Sequence, residues 1–404
     1  MINNIKYVPS TAYNGNRNNN NSKSICFKGN EIPQGDVLEI KGSQTSAKVF
    51  TKNIDYRTFG QVKEICSHPV FRDIPIRVMP DTHAGKVAVV GFTAPVSPKG
   101  EIIPSLINGD IGCGMLCVKF KPKTSDIDYD ELDRVIRTYL ASSKRQEPSV
   151  YGVHAKKIDK QVEALCKKYK ISPQKAFETL GTLGGGNHFI EIDKDASGEL
   201  NLVIHTGSRA FGGDVFDYYN QKAREQNPYK IKDLSYLSGD LAKEYLSDMS
   251  DAVKYSQLNR RIIADEILKR MGWDEISSFE SVHNYIAPDG VIRKGAIAAN
   301  EGQKVIIPLN MRDGAIIAIG KGNDDWNKSA PHGAGRLYSR GEAAMTIDIK
   351  DFVDTMKGIY TTCVSKSTID EAPQAYKSAA EIIKNIANSV DIQSVIKPLF
   401  NFKG

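Results

Sequence analysis

The residues best suited to chemistry lie in a few short segments rich in His, Cys and Gly. In Ser329-Ala330-Pro331-His332-Gly333-Ala334-Gly335-Arg336, small neighbours leave the His332 imidazole accessible. Arg336 and Arg340 follow four residues apart, and would share a helix face if a helix begins after Gly335. An accessible nucleophile beside two cationic forks is what phosphoryl or nucleotidyl transfer to an imidazole requires. Asp110-Ile111-Gly112-Cys113-Gly114 sets a hard oxygen and a soft thiolate three residues apart on a glycine-rich turn. Thiolate favours zinc-like ions, whereas carboxylate and imidazole also suit manganese. Taken alone, that turn reads more readily as a buried loop with an inert thiol.

Gly184-Gly185-Gly186-Asn187-His188-Phe189-Ile190-Glu191 runs three glycines into a strand. Successive glycines let backbone N–H groups approach a phosphate closely. His188 and Glu191 differ by three and would face opposite sides of a regular strand, one meeting a metal and the other a base or sugar. The bland alternative is a hairpin turn with a surface histidine. His205-Thr206-Gly207-Ser208-Arg209 follows the apolar Leu202-Val203-Ile204, offering a ligand at a strand end and then a bidentate anion clamp. His283, beside Tyr285, is as readily a satisfied core residue. The chain has no Walker A sequence, no Cys-x-x-Cys pair and no His-Glu-x-x-His, which disfavours a P-loop NTPase, a zinc finger and a zincin. The residues alone point to an enzyme that handles metal and phosphate, with a structural or binding protein as the alternative.

Positioning such a set needs strands that end at one place. Strand-like patterns cover Ala47–Phe50, Ile74–Met79, Val87–Val96, Phe189–Ile192, Leu202–His205, Val305–Ile307 and Ala315–Ile319. Helical spacing covers 126–141, 155–169 (with a stripe of Ile158, Val162 and Leu165), Ile349–Met356 and Ala375–Ile386. A longer helix is expected from Asp251 to Met271, stopped by Gly272. The asparagine-rich stretch 11–22 can bury little and reads as a mobile surface loop. No repeat and no Gly/Ser/Pro-rich linker interrupts the motifs, which suits one site assembled by one domain over 1–404, with a two-domain chain as the alternative that the length allows.

The chain has 404 residues, 40% hydrophobic and 25% charged, with 54 Lys plus Arg against 48 Asp plus Glu. That excludes intrinsic disorder and leaves a formal charge of +6, compatible with an anionic partner without demanding one. The longest uncharged apolar runs reach about ten residues, half of what a membrane span needs. Six cysteines spread over this length do not form a disulfide scaffold, and no basic flank with an apolar core opens the chain. A reduced, cytoplasmic setting is expected.

The ordered set Met79-Pro80-Asp81-x-His83, Asp110-Ile111-Gly112-Cys113-Gly114, Gly181-Thr182-Leu183-Gly184-x-Gly186-Asn187-His188-Phe189-x-Glu191, His205-x-Gly207-Ser208-Arg209, His283-Asn284-Tyr285 and His332-Gly333-Ala334-Gly335-Arg336 resembles the RtcB family of RNA ligases. Lys294-Gly295-Ala296, Asp370-Glu371-x-Pro373-x-Ala375-Tyr376-Lys377 and the terminal Lys403-Gly404 extend the likeness over residues 79 to 404. The resemblance implies an α/β (α+β) fold: a single RtcB-type domain with stacked mixed β-sheets surrounded by helices. It implies ligation of RNA 2′,3′-cyclic phosphate or 3′-phosphate ends to 5′-hydroxyl ends, with GTP and two Mn2+ ions, in tRNA splicing or RNA repair. Asp110, Cys113 and His188 would hold one ion, and Cys113, His205 and His283 the other. His332 would carry GMP, and Asp81 would support the site. Asn187, Arg209 and Arg336 would contact phosphates, and Glu191 and Lys403 the guanine. Partners implied are RNA and GTP, with no membrane, for a monomer that can work with an activating protein.

Attack on the nucleotide requires a neutral His332, so guanylylation should fall as the imidazole protonates; a profile flat from about pH 5 to 9 would contradict that. The chain departs from the family pattern at Pro308 to Gly314, where many members have Gly-Ser-Met-Gly, and at Ala84 to Val89. No implied ligand is lost. The alternatives are a manganese-dependent guanylyltransferase or phosphoesterase that acts on nucleic-acid ends without sealing them, and a non-catalytic RNA-binding protein.

Overall fold

The computed structural model describes residues 37–123, 126–141, 163–164, 166–168 and 173–404. The asparagine-rich stretch 11–22 and the expected stripe of Ile158, Val162 and Leu165 lie outside the described residues. Strands β1 (Leu38–Lys41), β2 (Ser46–Val49), β3 (Ile76–Val78) and β4 (Phe92–Pro95) form a mixed six-stranded sheet with β9 (Asn284–Ile286) and β10 (Val291–Lys294), in the order β1-β2-β3-β4-β10-β9. Within it β2 and β3 run parallel and the other pairs antiparallel. A seven-stranded antiparallel sheet is built from β5 (Gly114–Lys121), β6 (Phe189–Lys194), β7 (Leu200–Thr206), β8 (Asp274–Val282), β12 (Lys304–Asn310), β13 (Gly314–Gly320) and β15 (Val390–Lys403). Its order is β12-β13-β15-β6-β7-β5-β8. The short β11 (Ala296–Ala298) pairs with β14 (Ser329–Pro331), the strand that leads into His332.

The seven-stranded sheet curls until its edge strands meet, and the Ile306 amide of β12 donates to Ser281 Oγ of β8 at 3.0 Å. Side chains alternate between its faces, as period-two strands require. Ile190, Ile192, Leu202, Ile204, Phe400 and Phe402 point outward, under a helix. Met115, Cys117, Phe189, Val203, Ile306 and Ile396 point inward. The inner series of β6 continues from Phe189 to Glu191 and Asp193, so one strand carries an apolar outer face and an acidic inner one.

The helix Gly239–Met271 connects the two sheets' cores. Tyr245, Met249, Ala252 and Tyr255 pack into the core of the six-stranded sheet. Ile263, Ala264, Ile267 and Leu268 pack beneath the seven-stranded one. The helix begins at Gly239, not Asp251, because its polar first turns still bury Ala242 and Tyr245. It stops at Gly272 as expected, in the left-handed region with φ 67°. The strand expected over Val87–Val96 is confined to Phe92–Pro95, since Gly91, at φ 85°, breaks the extended backbone before it. Among the described residues, no helix is long and apolar enough to cross a membrane. Five cysteines, Cys66, Cys113, Cys117, Cys166 and Cys363, are buried free thiols.

Candidate active site

Cys113 stands one residue before β5, His205 in the last turn-facing positions of β7, and His283 just past β8, so three neighbouring strand ends deliver three ligands to one point. Cys113 Sγ lies 3.3 Å from His205 Nε2, which is 3.4 Å from His283 Nε2. His188 Nε2 approaches the same sulfur at 3.7 Å. The potential ligand atoms fall into two groups that share the thiol: Cys113, His205 and His283, and Asp110, Cys113 and His188. His188 Nδ1 bonds the Leu183 carbonyl at 2.9 Å and His205 Nδ1 the Asn187 carbonyl at 3.0 Å. Each contact requires the proton on Nδ1 and turns the Nε2 lone pair inward.

Inward-facing lone pairs so close together repel unless a cation lies among them. Burial pushes the Cys113 thiol well above its usual range, and Asp110 adds to the shift. Burial also pushes His205 and His283 well below theirs, helped by neighbouring imidazoles. The set is therefore neutral imidazole plus a thiol that ionises only where positive charge is supplied, which is the donor set a metal ion takes. A soft sulfur, imidazoles and one carboxylate fit a divalent transition metal.

Two residues of the long helix hold these strand ends, at the junction of its two cores. The fully buried Arg260 donates through Nη1 to the Gly112 carbonyl at 2.9 Å and to the Thr206 carbonyl at 2.7 Å. It thereby ties the residues beside Cys113 and His205 to one guanidinium. Asn259 accepts from the Gly181 and Thr182 amides and donates to the Thr182 and Gly207 carbonyls. The sequence reading missed both. The available signal was a run of three polar residues, Asn259-Arg260-Arg261, interrupting the apolar stripe between Leu258 and Ile262.

His332 follows β14, with its ring 4.7 Å from that of His283 between centroids. Its Nδ1 lies 2.7 Å from Asp81 Oδ2, and its backbone amide donates to the same oxygen at 3.2 Å. Asp81 is fully buried whereas the His332 side chain is 18% exposed, so a ligand can reach the ring's other nitrogen. With Nδ1–H donated to the carboxylate, Nε2 keeps its lone pair, as a nucleophilic imidazole must. Gly335, at φ 77°, is required here because a Cβ would lie 2.1 Å from the Asp81 carbonyl oxygen.

A cleft of about 260 Å³ opens beside His332 and His283, lined among others by Asn187, Phe189, Glu191, Leu309, Met311, Arg340 and Lys403. It is near the lower end of small-molecule sites, roughly 300–1,000 Å³, and suits part of a nucleotide. Burial pushes the Glu191 carboxyl up to about 7, against the opposing pull of Lys403 and the Asn401 amide. The Pro308-to-Gly314 departure forms part of this wall.

Arg336 and Arg340 do not share a helix face. A helix begins only at Arg340, after a Ser339–Glu342 capping box, and Arg336 instead bridges to Tyr376. The Arg336 donors turn into the protein, to the Tyr338 and Asp370 carbonyls, Glu371 and the Tyr376 hydroxyl. Arg340 uses Nη1 for Glu371 and Asp370, and its side chain is 48% exposed beside Gly186. Of the two arginines that the spacing singled out, the resemblance gave a phosphate role to the inward-tied one and none to the one at the rim. Arg209 is placed by Gly184, where a Cβ would lie 1.7 Å from Arg209 Nη1, and donates to Thr182 Oγ1 at 3.3 Å. The first glycine of the run therefore makes room for a guanidinium.

A family model described as tRNA-splicing ligase RtcB matches residues 61–171 and 154–404. The RNA-splicing ligase RtcB of Escherichia coli K12 is 30% identical over 373 residues, covering 81% of this chain and 90% of the relative. RNA-splicing ligase RtcB2 of Escherichia coli ATCC 25922 is 27% identical over 344 residues, covering 76% and 81%. The tRNA-splicing ligase RtcB of Aeropyrum pernix is 26% identical over 415 residues, covering 79% and 85%.

Proposed function

The chain belongs to the RtcB family of RNA-splicing ligases, and on that premise we propose that it joins RNA 2′,3′-cyclic phosphate or 3′-phosphate ends to 5′-hydroxyl ends, in tRNA splicing or RNA repair, using GTP and two manganese ions. The observation that carries this reading is the Asp81–His332 pair, which presents a free imidazole nitrogen beside the Cys/His cluster. His332 Nε2 attacks the α-phosphorus of GTP, a P–N bond forms, and pyrophosphate leaves. The GMP then passes from His332 to the RNA 3′-phosphate. Attack by the 5′-hydroxyl on that activated phosphate forms the phosphodiester and releases GMP. A cyclic phosphate, where present, is opened by water first.

Each protein group has one task in this sequence. Asp81 holds His332 in the required tautomer and stabilises the positive charge that grows on the ring during attack. Asp110, Cys113 and His188 would hold one ion and Cys113, His205 and His283 the second, where the ions neutralise phosphate charge. Asn187 and Arg209 would face phosphates, and Arg336, which also lines the cleft, would reach one only by giving up one of its inward bonds. Glu191, as carboxylate, accepts the N–H groups of a guanine edge, and Lys403 donates to its oxygen.

The test is incubation with α-labelled GTP and manganese, comparing the protein with its His332→Ala variant on a denaturing gel. Label retained by the first and lost from the second is the expected result. RNA bearing a 3′-phosphate and RNA bearing a 5′-hydroxyl are then supplied together. An adduct without joined product would replace the ligase reading with that of a guanylyltransferase.

A further inference from the structure

One charge network of the site centres on a residue to which the sequence reading gave no role. Glu371 is 2% exposed, ends the short helical turn Ile369–Glu371 and lines the cleft. Its Oε2 accepts from Lys403 Nζ at 2.8 Å and from the Tyr376 hydroxyl at 2.6 Å. Its Oε1 accepts from Arg340 at 2.6 Å and from Arg336 at 3.2 Å. One carboxylate thus anchors three cations, and every strong acceptor position it has is filled.

Lys403 has a second acid within reach. Asn401 pairs with Glu191 and Lys403 with Phe189 across β15 and β6, which makes Lys403 and Glu191 diagonal neighbours on the cleft face. Diagonal neighbours lie about 7–8 Å apart at the backbone, within range of a lysine side chain. Yet Glu191 takes its hydrogen bond from Asn401, and Lys403 gives its own to Glu371. Both Glu191 and Lys403 line the cleft, so the split leaves an acceptor and a donor side by side on one wall.

We propose that Glu371 is a positioning residue that sets the purine preference of the cleft, by keeping Lys403 away from Glu191. A guanine edge presents an acceptor oxygen beside two N–H donors, and matches an ammonium held next to a free carboxylate. An adenine edge presents an amine where guanine has the oxygen, and meets the ammonium donor to donor. Without Glu371, Lys403 swings onto Glu191, the two charges cancel, and the wall no longer distinguishes the bases. The inference deepens the functional reading above and rests on it for the nucleotide.

The experiment measures equilibrium binding of fluorescent GTP and ATP analogues to the manganese-loaded protein and to Glu371→Gln, Glu371→Asp, Lys403→Met and Glu371→Gln/Lys403→Met variants, each checked by thermal melting. Glu371→Asp keeps the charge that the two arginines need and serves if Glu371→Gln does not fold. Both Glu371 variants should lose roughly tenfold or more of the preference for GTP over ATP. The double variant should lose no more than Lys403→Met alone, because one residue acts through the other. Unchanged preference in the folded Glu371 variants, or additive losses in the double variant, would overturn the inference alone. A wild-type protein that binds neither nucleotide would overturn the functional reading and the inference together.

Discussion

Histidine is used in two opposite ways in two regions of this molecule. In the core of the six-stranded sheet, His68 is fully buried and both ring nitrogens are satisfied, Nε2 by the Leu234 carbonyl at 3.0 Å and Nδ1 by the Val70 amide at 3.2 Å. At the mouth of the seven-stranded sheet, His188, His205 and His283 turn nitrogens toward one another and toward a thiol, and His283 Nδ1 has no partner at all. Burial lowers all four. The difference teaches that burial does not mark a functional histidine. An inward lone pair lacking its complement does, because a fold that only needed stability would have paired it.

That contrast can be broken first at the proposed nucleophile. His332→Ala should remove the labelled GMP adduct entirely, a loss of at least about 10³-fold in sealing rate on a gel assay. Next, Cys113→Ser should weaken manganese binding by 10-fold or more, read by calorimetry or metal analysis of the desalted protein. An undiminished affinity would mean that the crowded lone pairs serve something other than a metal.

The cleft should also respond to pH. The Glu191 carboxyl is raised to about 7, so the charged form that the proposed guanine contact needs is lost as pH falls through that value. GTP affinity should therefore drop about tenfold between pH 8 and pH 6, and Glu191→Gln should flatten the profile. The two arginines separate next. Arg340→Ala should weaken nucleotide or RNA binding several-fold with little change in melting temperature, whereas Arg336→Ala should cost roughly 1–3 kcal/mol of stability through its lost inward bonds.

The smallest effect belongs to the satisfied histidine. His68 has a folded value lowered to about 4 from the usual 6.5. Its contribution to stability is complete above the unfolded value and is lost as pH falls from about 6.5 toward 4. The melting temperature should decline from pH 7 to pH 5, and His68→Asn, which can still accept from Val70, should reduce that slope. His83, also lowered to about 4, leaves a residual slope of the same sign.

The sequence by itself determined which residue types were available and the strands that carry them. His205 at the end of an apolar run, the Asp110–Cys113 turn and the glycines before β6 were legible because their signals are local: periodicity, turn chemistry and spacing. The long helix was legible where its apolar stripe was regular and lost where the stripe began with Gly239, Asp240 and Lys243. Long-range convergence was not legible. Nothing in the spacing of Asp81 and His332, 251 positions apart, says that they touch. Nor does it say that Arg260 ties together the strand ends beside Cys113 and His205, or that Glu371 gathers three cations from two segments. Those relations were decided only by the tertiary structure, since curling one sheet brings distant strand ends to one mouth. There burial makes each unpaired charge costly enough to dictate its partner.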